Sequence, residues 1–147
     1  MEWRALRGNC MGAAVLLVIQ FGLGTAVNLY VTLPSGKSFW STVFSDGAVA
    51  VHAIVALLLL GASVSALVRV IRMRRAVVWT AAGLAGVLVA AGSGVSFVRD
   101  GSNGASLAMA LGAAVALFCY LAAIFALGAR PESGAGGERV GGERGRR

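Results

Sequence analysis

Charge is what this sequence has least of: 13% of its residues are Asp, Glu, Lys or Arg, against about 25% in an ordinary soluble domain. A water-soluble fold fits that shortage poorly. Histidine occurs once and cysteine twice. One histidine cannot supply the paired axial ligands of a four-span haem protein. Cys10 and Cys119 are not spaced as the CxxC that a thiol oxidase needs. No GxGxxG or P-loop follows a strand, and no Ser-His-Asp set can be assembled around a single helical histidine. Disulfide, metal and cofactor chemistry of the familiar kinds is therefore not expected.

What is present is apolar length. Hydrophobic residues make up 58% of the chain and the mean hydropathy is +0.81. A bilayer core of about 30 Å takes about 20 apolar residues in a helix. Four runs meet that requirement, Met11–Leu33, Gly47–Val68, Ala76–Val98 and Gly104–Gly128, and none contains Asp, Glu, Lys or Arg. The expected fold is all-α: a four-helix transmembrane bundle, antiparallel up-down-up-down. It divides into an N-terminal segment 1–10, a transmembrane domain 11–129 and a tail 130–147.

The net charge of +7 and the isoelectric point near 11.1 would suggest a nucleic-acid partner in a soluble protein, so the positions of the charges matter more than their sum. Arg4 and Arg7 precede the first run. Arg69, Arg72, Arg74 and Arg75 join the second and third, and Arg130, Arg139, Arg144, Arg146 and Arg147 follow the fourth. One side thus holds 11 of the 13 basic residues; the other holds Lys37 and Arg99, offset by Asp46 and Asp100. The positive-inside rule reads this as an N-in, C-in orientation. Orientation accounts for the arginines, and no nucleic acid is expected.

The first apolar run is too long for a signal-peptide core of roughly 7–15 residues, so it is expected to be retained. Pro34-Ser35-Gly36 ends it. The external loop Lys37–Asp46 carries Phe39, Trp40 and Phe44, which suit a headgroup region. Ser45 or Asp46 can cap the second span, and Ser102 or Asn103 the fourth. The tail is Gly-rich and charged with a short GGER repetition, a composition expected to stay disordered.

Helices in lipid associate through small residues and polar contacts. Ala82, Gly86, Ala90 and Gly94 recur every four residues in span three, and Gly104, Ala108, Gly112 and Ala116 do so in span four. These are the expected packing seams; whether a seam closes the monomer or builds a homo-oligomer stays open.

Ionisable side chains inside a membrane mark transport and relay sites. Within the four runs His52 alone qualifies. Small four-span multidrug exporters share this length and span count but depend on an acidic residue in the first span, where this chain has Gln20. His52 lies five residues, about 7.5 Å, inside span two. Asn28 lies near the external end of span one, and Gln20 is about 12 Å deeper with a helical phase about 80° away. The candidate ligand-binding residues are therefore His52, Gln20 and Asn28, with Arg99 and Asp100 near the same external surface.

Several short strings are familiar: Asn28-Leu29-Tyr30-Val31 before Pro34, a histidine early in span two, Gly92-Ser93-Gly94-Val95-Ser96-Phe97 ending span three, and Ser106-Leu107-Ala108-Met109-Ala110 opening span four. Over most of residues 12–128 the chain resembles small four-span integral membrane proteins of actinobacteria, a group without an assigned role. The resemblance implies the same fold and a bacterial inner membrane, and it brings no catalytic residue. Two functional readings follow. The first is a non-catalytic accessory or structural protein whose partners are the lipid bilayer and a second copy or a larger membrane complex. The alternative is a binder or carrier of a small molecule, lipid or cofactor in a pocket at the external half of the bundle.

Overall fold

The structure, a computed structural model, describes residues 2–31 and 39–128. The tail beyond Gly128 and the stretch 32–38, on which the break expected at Pro34-Ser35-Gly36 falls, lie outside the described residues. The chain forms five helices: α1 (Glu2–Tyr30), α2 (Phe39–Ser45), α3 (Gly47–Met73), α4 (Val77–Asp100) and α5 (Asn103–Gly128). No strand occurs among the described residues. Four helices are long and apolar enough to cross a membrane, over Arg4–Tyr30, Gly47–Met73, Val77–Arg99 and Asn103–Gly128. They close into a ring in which α1 packs on α3, α3 on α4, α4 on α5 and α5 on α1. Each helix runs antiparallel to the two it touches.

Helix ends follow local chemistry. Asp46 is extended and its Oδ1 accepts from the amides of Ala48 at 2.8 Å and Val49 at 3.3 Å, starting α3. Ser102 Oγ accepts from the Ala105 amide at 3.2 Å and starts α5. The α4–α5 turn bends through Gly101 at φ 62°, a left-handed conformation that glycine takes without a steric penalty. The α3–α4 turn uses the same region twice without glycine, at Arg74 (φ 53°) and Ala76 (φ 55°).

Two boundaries differ from the apolar runs. α1 starts at Glu2 rather than Met11, because Leu6 and Cys10 are buried against the rest of the bundle and hold the extra turns in place. α3 continues through Arg69 and Arg72 to Met73, since arginine is a good helix former and lack of apolarity does not end a helix. The loop expected along the membrane contains the short helix α2. There Trp40 and Phe44 stack at 6.1 Å with both rings exposed, while Val43 is buried with Val27 and Val49.

The seams repeat every 3.5 residues. On α1 the inward positions are Leu6, Cys10, Ala13, Leu17, Gln20, Gly24 and Val27, followed by Val31 just past its end; on α3 they are Val49, His52, Ala56, Leu59, Ser63, Ala66, Val70 and Met73. Steps of four and three alternate without a break, the spacing that winds neighbouring helices into a left-handed coil. The interior combines small side chains with Leu6, Leu17, Leu59 and Tyr120, while many large ones such as Leu57, Val78, Leu107 and Phe125 stand on the outside. That inversion of a soluble fold suits a bilayer, where lipid is as apolar as leucine and close backbone approach holds helices together.

The α4–α5 contact is the closest. A Cβ added to Gly86 would lie 2.8 Å from the Gly112 carbonyl oxygen, and one added to Gly112 would lie 2.9 Å from the Ala90 amide nitrogen and from the Gly86 carbonyl oxygen. Gly86, Ala90, Gly112 and Ala116 thus meet inside one chain. A Cβ added to Gly94 would lie 3.5 Å from Met109 Sδ, Ala82 and Ala108 are half-buried, and Gly104 at the start of α5 is exposed with open space around it. Gly104 faces away from other residues, so its small size serves no contact there.

Candidate functional site

The polar joint between α1 and α3 centres on Gln20 and His52. Gln20 Nε2 lies 3.1 Å from the His52 backbone oxygen and 3.1 Å from His52 Nε2. A carbonyl oxygen only accepts, so the amide edge facing it is the NH2 group, and NH2 only donates. His52 Nε2 must then accept, which places the proton of the neutral ring on Nδ1. One side chain of α1 thereby bonds both backbone and ring of a single residue on α3. Gly24, one turn further along α1, makes room for the ring: an added Cβ would stand 3.1 Å from His52 Cε1. Two atoms of the joint, Gln20 Oε1 and His52 Nδ1, are buried without a hydrogen-bond partner.

A second bond, from Asn9 Nδ2 to Ser65 Oγ at 3.2 Å, joins the same two helices near their other ends. Other hydroxyls turn inward on their own helix. Ser63 Oγ donates to the Leu59 carbonyl at 2.7 Å, Thr80 Oγ1 to Ala76 at 3.0 Å and Thr25 Oγ1 to Phe21 at 2.9 Å. This four-residue back-bonding satisfies a hydroxyl locally and leaves it little to offer a neighbour.

The candidate residues do not all gather. Gln20 and His52 meet. Asn28 is exposed, turned out of the seam that continues through Gly24 and Val27. Arg99 is exposed at the end of α4, and the Asp100 side chain lies outside the described residues. Of the five candidates, Gln20 and His52 are the two that the described side chains bring into contact.

One residue that the sequence reading passed over sits where all four spanning helices converge. Tyr120 on α5 is fully buried, its ring against Gly83 of α4, where an added Cβ would lie 3.0 Å from Cζ. Ser63 of α3 and Cys10 of α1, both fully buried, lie within electrostatic reach of its hydroxyl. The hydroxyl itself is buried and makes no hydrogen bond. Ser63 Oγ gives its proton to the Leu59 carbonyl and keeps lone pairs that could accept, but the Tyr120 hydroxyl makes no bond to it. The signal in the sequence was a lone tyrosine deep in an otherwise apolar span. Cys10 and Cys119 are free and buried, and no group of three or more His, Cys, Asp or Glu able to hold a metal occurs among the described residues.

Comparison with known proteins adds no second source. No protein-family model matches the chain, and no curated protein or solved structure is significantly similar to it.

Proposed function

We propose that this chain is a small non-catalytic integral membrane protein, with both termini on the cytoplasmic side of a bacterial inner membrane, that serves as an accessory or structural subunit beside a second copy or within a larger membrane complex. The observation that carries this reading is the use of the chain's one histidine. His52 is engaged by Gln20 through ring and backbone, as a joint between two helices. The 11-to-2 distribution of basic residues supports the orientation. The likeness to small four-span actinobacterial membrane proteins belongs to the same reading.

A second reading keeps one specific observation: Gln20 Oε1 and His52 Nδ1 are a buried acceptor and a buried donor without partners. A small molecule or lipid hydroxyl that donates one bond and accepts another would satisfy both. Native mass spectrometry and a visible absorption scan of gently solubilised protein separate the two. The accessory reading expects the mass of the chain together with a second copy or another protein, and no chromophore. A lone chain with a noncovalent small-molecule mass that disappears in His52→Ala would replace it with the binding reading.

A further inference from the structure

The corner between α3 and α4 joins charge to exposed apolar surface in a way that neither orientation nor packing uses. Arg69 and Arg72, three residues apart and so on one face of α3, are both exposed, and Arg74 follows in the turn. Between them Ile71 is 56% exposed, and at the start of α4 Val78 is 77% exposed. Trp79 next to it is held edge-on by Phe118, ring centroids 6.2 Å apart. The turn of three residues keeps the two helix ends side by side. Exposed arginines and exposed apolar side chains, an indole among them, thus share this corner, and an indole is the side chain enriched at headgroup level.

Arg74 adds a separate observation. The α4–α5 turn fills its left-handed position with Gly101, the residue that adopts it without strain, whereas the α3–α4 turn fills the same conformation with an arginine. Arg74 thereby holds its place in the turn at a backbone cost that glycine would have avoided, as Ala76 does two residues on.

We propose that this corner is a binding site for an anionic phospholipid, its phosphate held by Arg69, Arg72 and Arg74 and its acyl chains lying on Ile71, Val78 and Trp79. Orientation by the positive-inside rule needs only that arginines lie on one side; a lipid site needs them to converge over apolar surface. The site holds in whichever leaflet it lies, so it does not depend on the orientation proposed above.

The test is lipid retention by the full-length protein in detergent, after exchange with mixtures of phosphatidylglycerol and phosphatidylcholine, read by native mass spectrometry. The wild type is expected to retain phosphatidylglycerol over phosphatidylcholine, with the preference falling as salt rises. Each arginine replaced by glutamine at these three positions is expected to weaken that preference roughly five-fold. Arg99→Gln at the opposite end is expected to leave it unchanged. Equal retention of the two lipids by the wild type, which needs no variant to fold, would overturn the proposal. So would an unchanged preference in the triple variant, or displacement of the lipid by inorganic phosphate at the concentrations at which the lipid itself binds.

Discussion

Gln20 and His52 are joined twice, the same amide nitrogen lying 3.1 Å from the imidazole Nε2 and 3.1 Å from the backbone oxygen. The bond to the backbone survives any change of the ring, so the two side chains are unequal partners. Gln20→Leu removes both contacts, whereas His52→Ala removes one. Interhelical hydrogen bonds in membrane proteins contribute roughly 0.6–2 kcal/mol. Thermal unfolding in detergent is expected to show Gln20→Leu as the more damaging change. The double variant should cost less than the sum of the two, because both act on one joint. Additive losses would mean that the two residues do not act together.

The glycines of the α4–α5 seam give a graded prediction. Gly86→Ala would set a methyl 2.8 Å from a backbone oxygen, and Gly112→Ala would set one 2.9 Å from two backbone atoms. Backbone cannot yield as a side chain can, so both alanines are expected to lower the unfolding temperature and the leucines to abolish monodisperse protein. Gly24→Ala meets only the His52 ring and should be milder. Gly104→Ala and Leu88→Val, in open or outward-facing positions, are expected to be neutral. Equal tolerance at Gly86 and Gly104 would show that the close approach is not a stabilising contact.

At Tyr120 the ring and the hydroxyl are expected to separate. Removing the fully buried ring in Tyr120→Ala should cost about 3 kcal/mol or more, through lost packing where the four helices meet. Tyr120→Phe removes only an unpaired buried hydroxyl and should be neutral or stabilising by up to about 1 kcal/mol. A clear destabilisation by phenylalanine, measured by the same thermal scan, would reveal a hydrogen bond to Ser63.

Much of the architecture could be read from the sequence, because a charge-free run of 20 residues has few alternatives to a membrane span. Caps at Asp46 and Ser102 were legible too, since short oxygen-bearing side chains ahead of an apolar run have a local use. The placement of Asn28 was not. At 3.6 residues per turn Asn28 and Gln20 fall on neighbouring phases, but the seam actually runs at 3.5 residues, through Gly24 and Val27 to Val31, and leaves Asn28 outside. The starting point of α1 was hidden for a related reason: Leu6 and Cys10 continue that seam into the charged segment, where hydropathy alone sees an end. Tyr120 was missed because convergence of four helices on one side chain is a property of packing, not of any one stretch of sequence.

The C-terminal segment 131–147, outside the described residues, has Val140 as its one aliphatic side chain larger than alanine. A chain truncated after Arg130 is expected to insert and to purify as monodisperse protein, because such a composition has no apolar surface to dock. Loss of stable protein on truncation would show that the tail contributes to the fold.

The central claim, a four-span protein with both termini in the cytoplasm, is tested most directly by labelling single cysteines in intact cells with a membrane-impermeant maleimide. Cysteine is placed by Ser38→Cys between the first two spans and by Ser133→Cys in the tail, with Cys10 and Cys119 replaced. The account predicts labelling at position 38 and none at position 133 until the cells are opened. Labelling at position 133 but not at position 38 would contradict it.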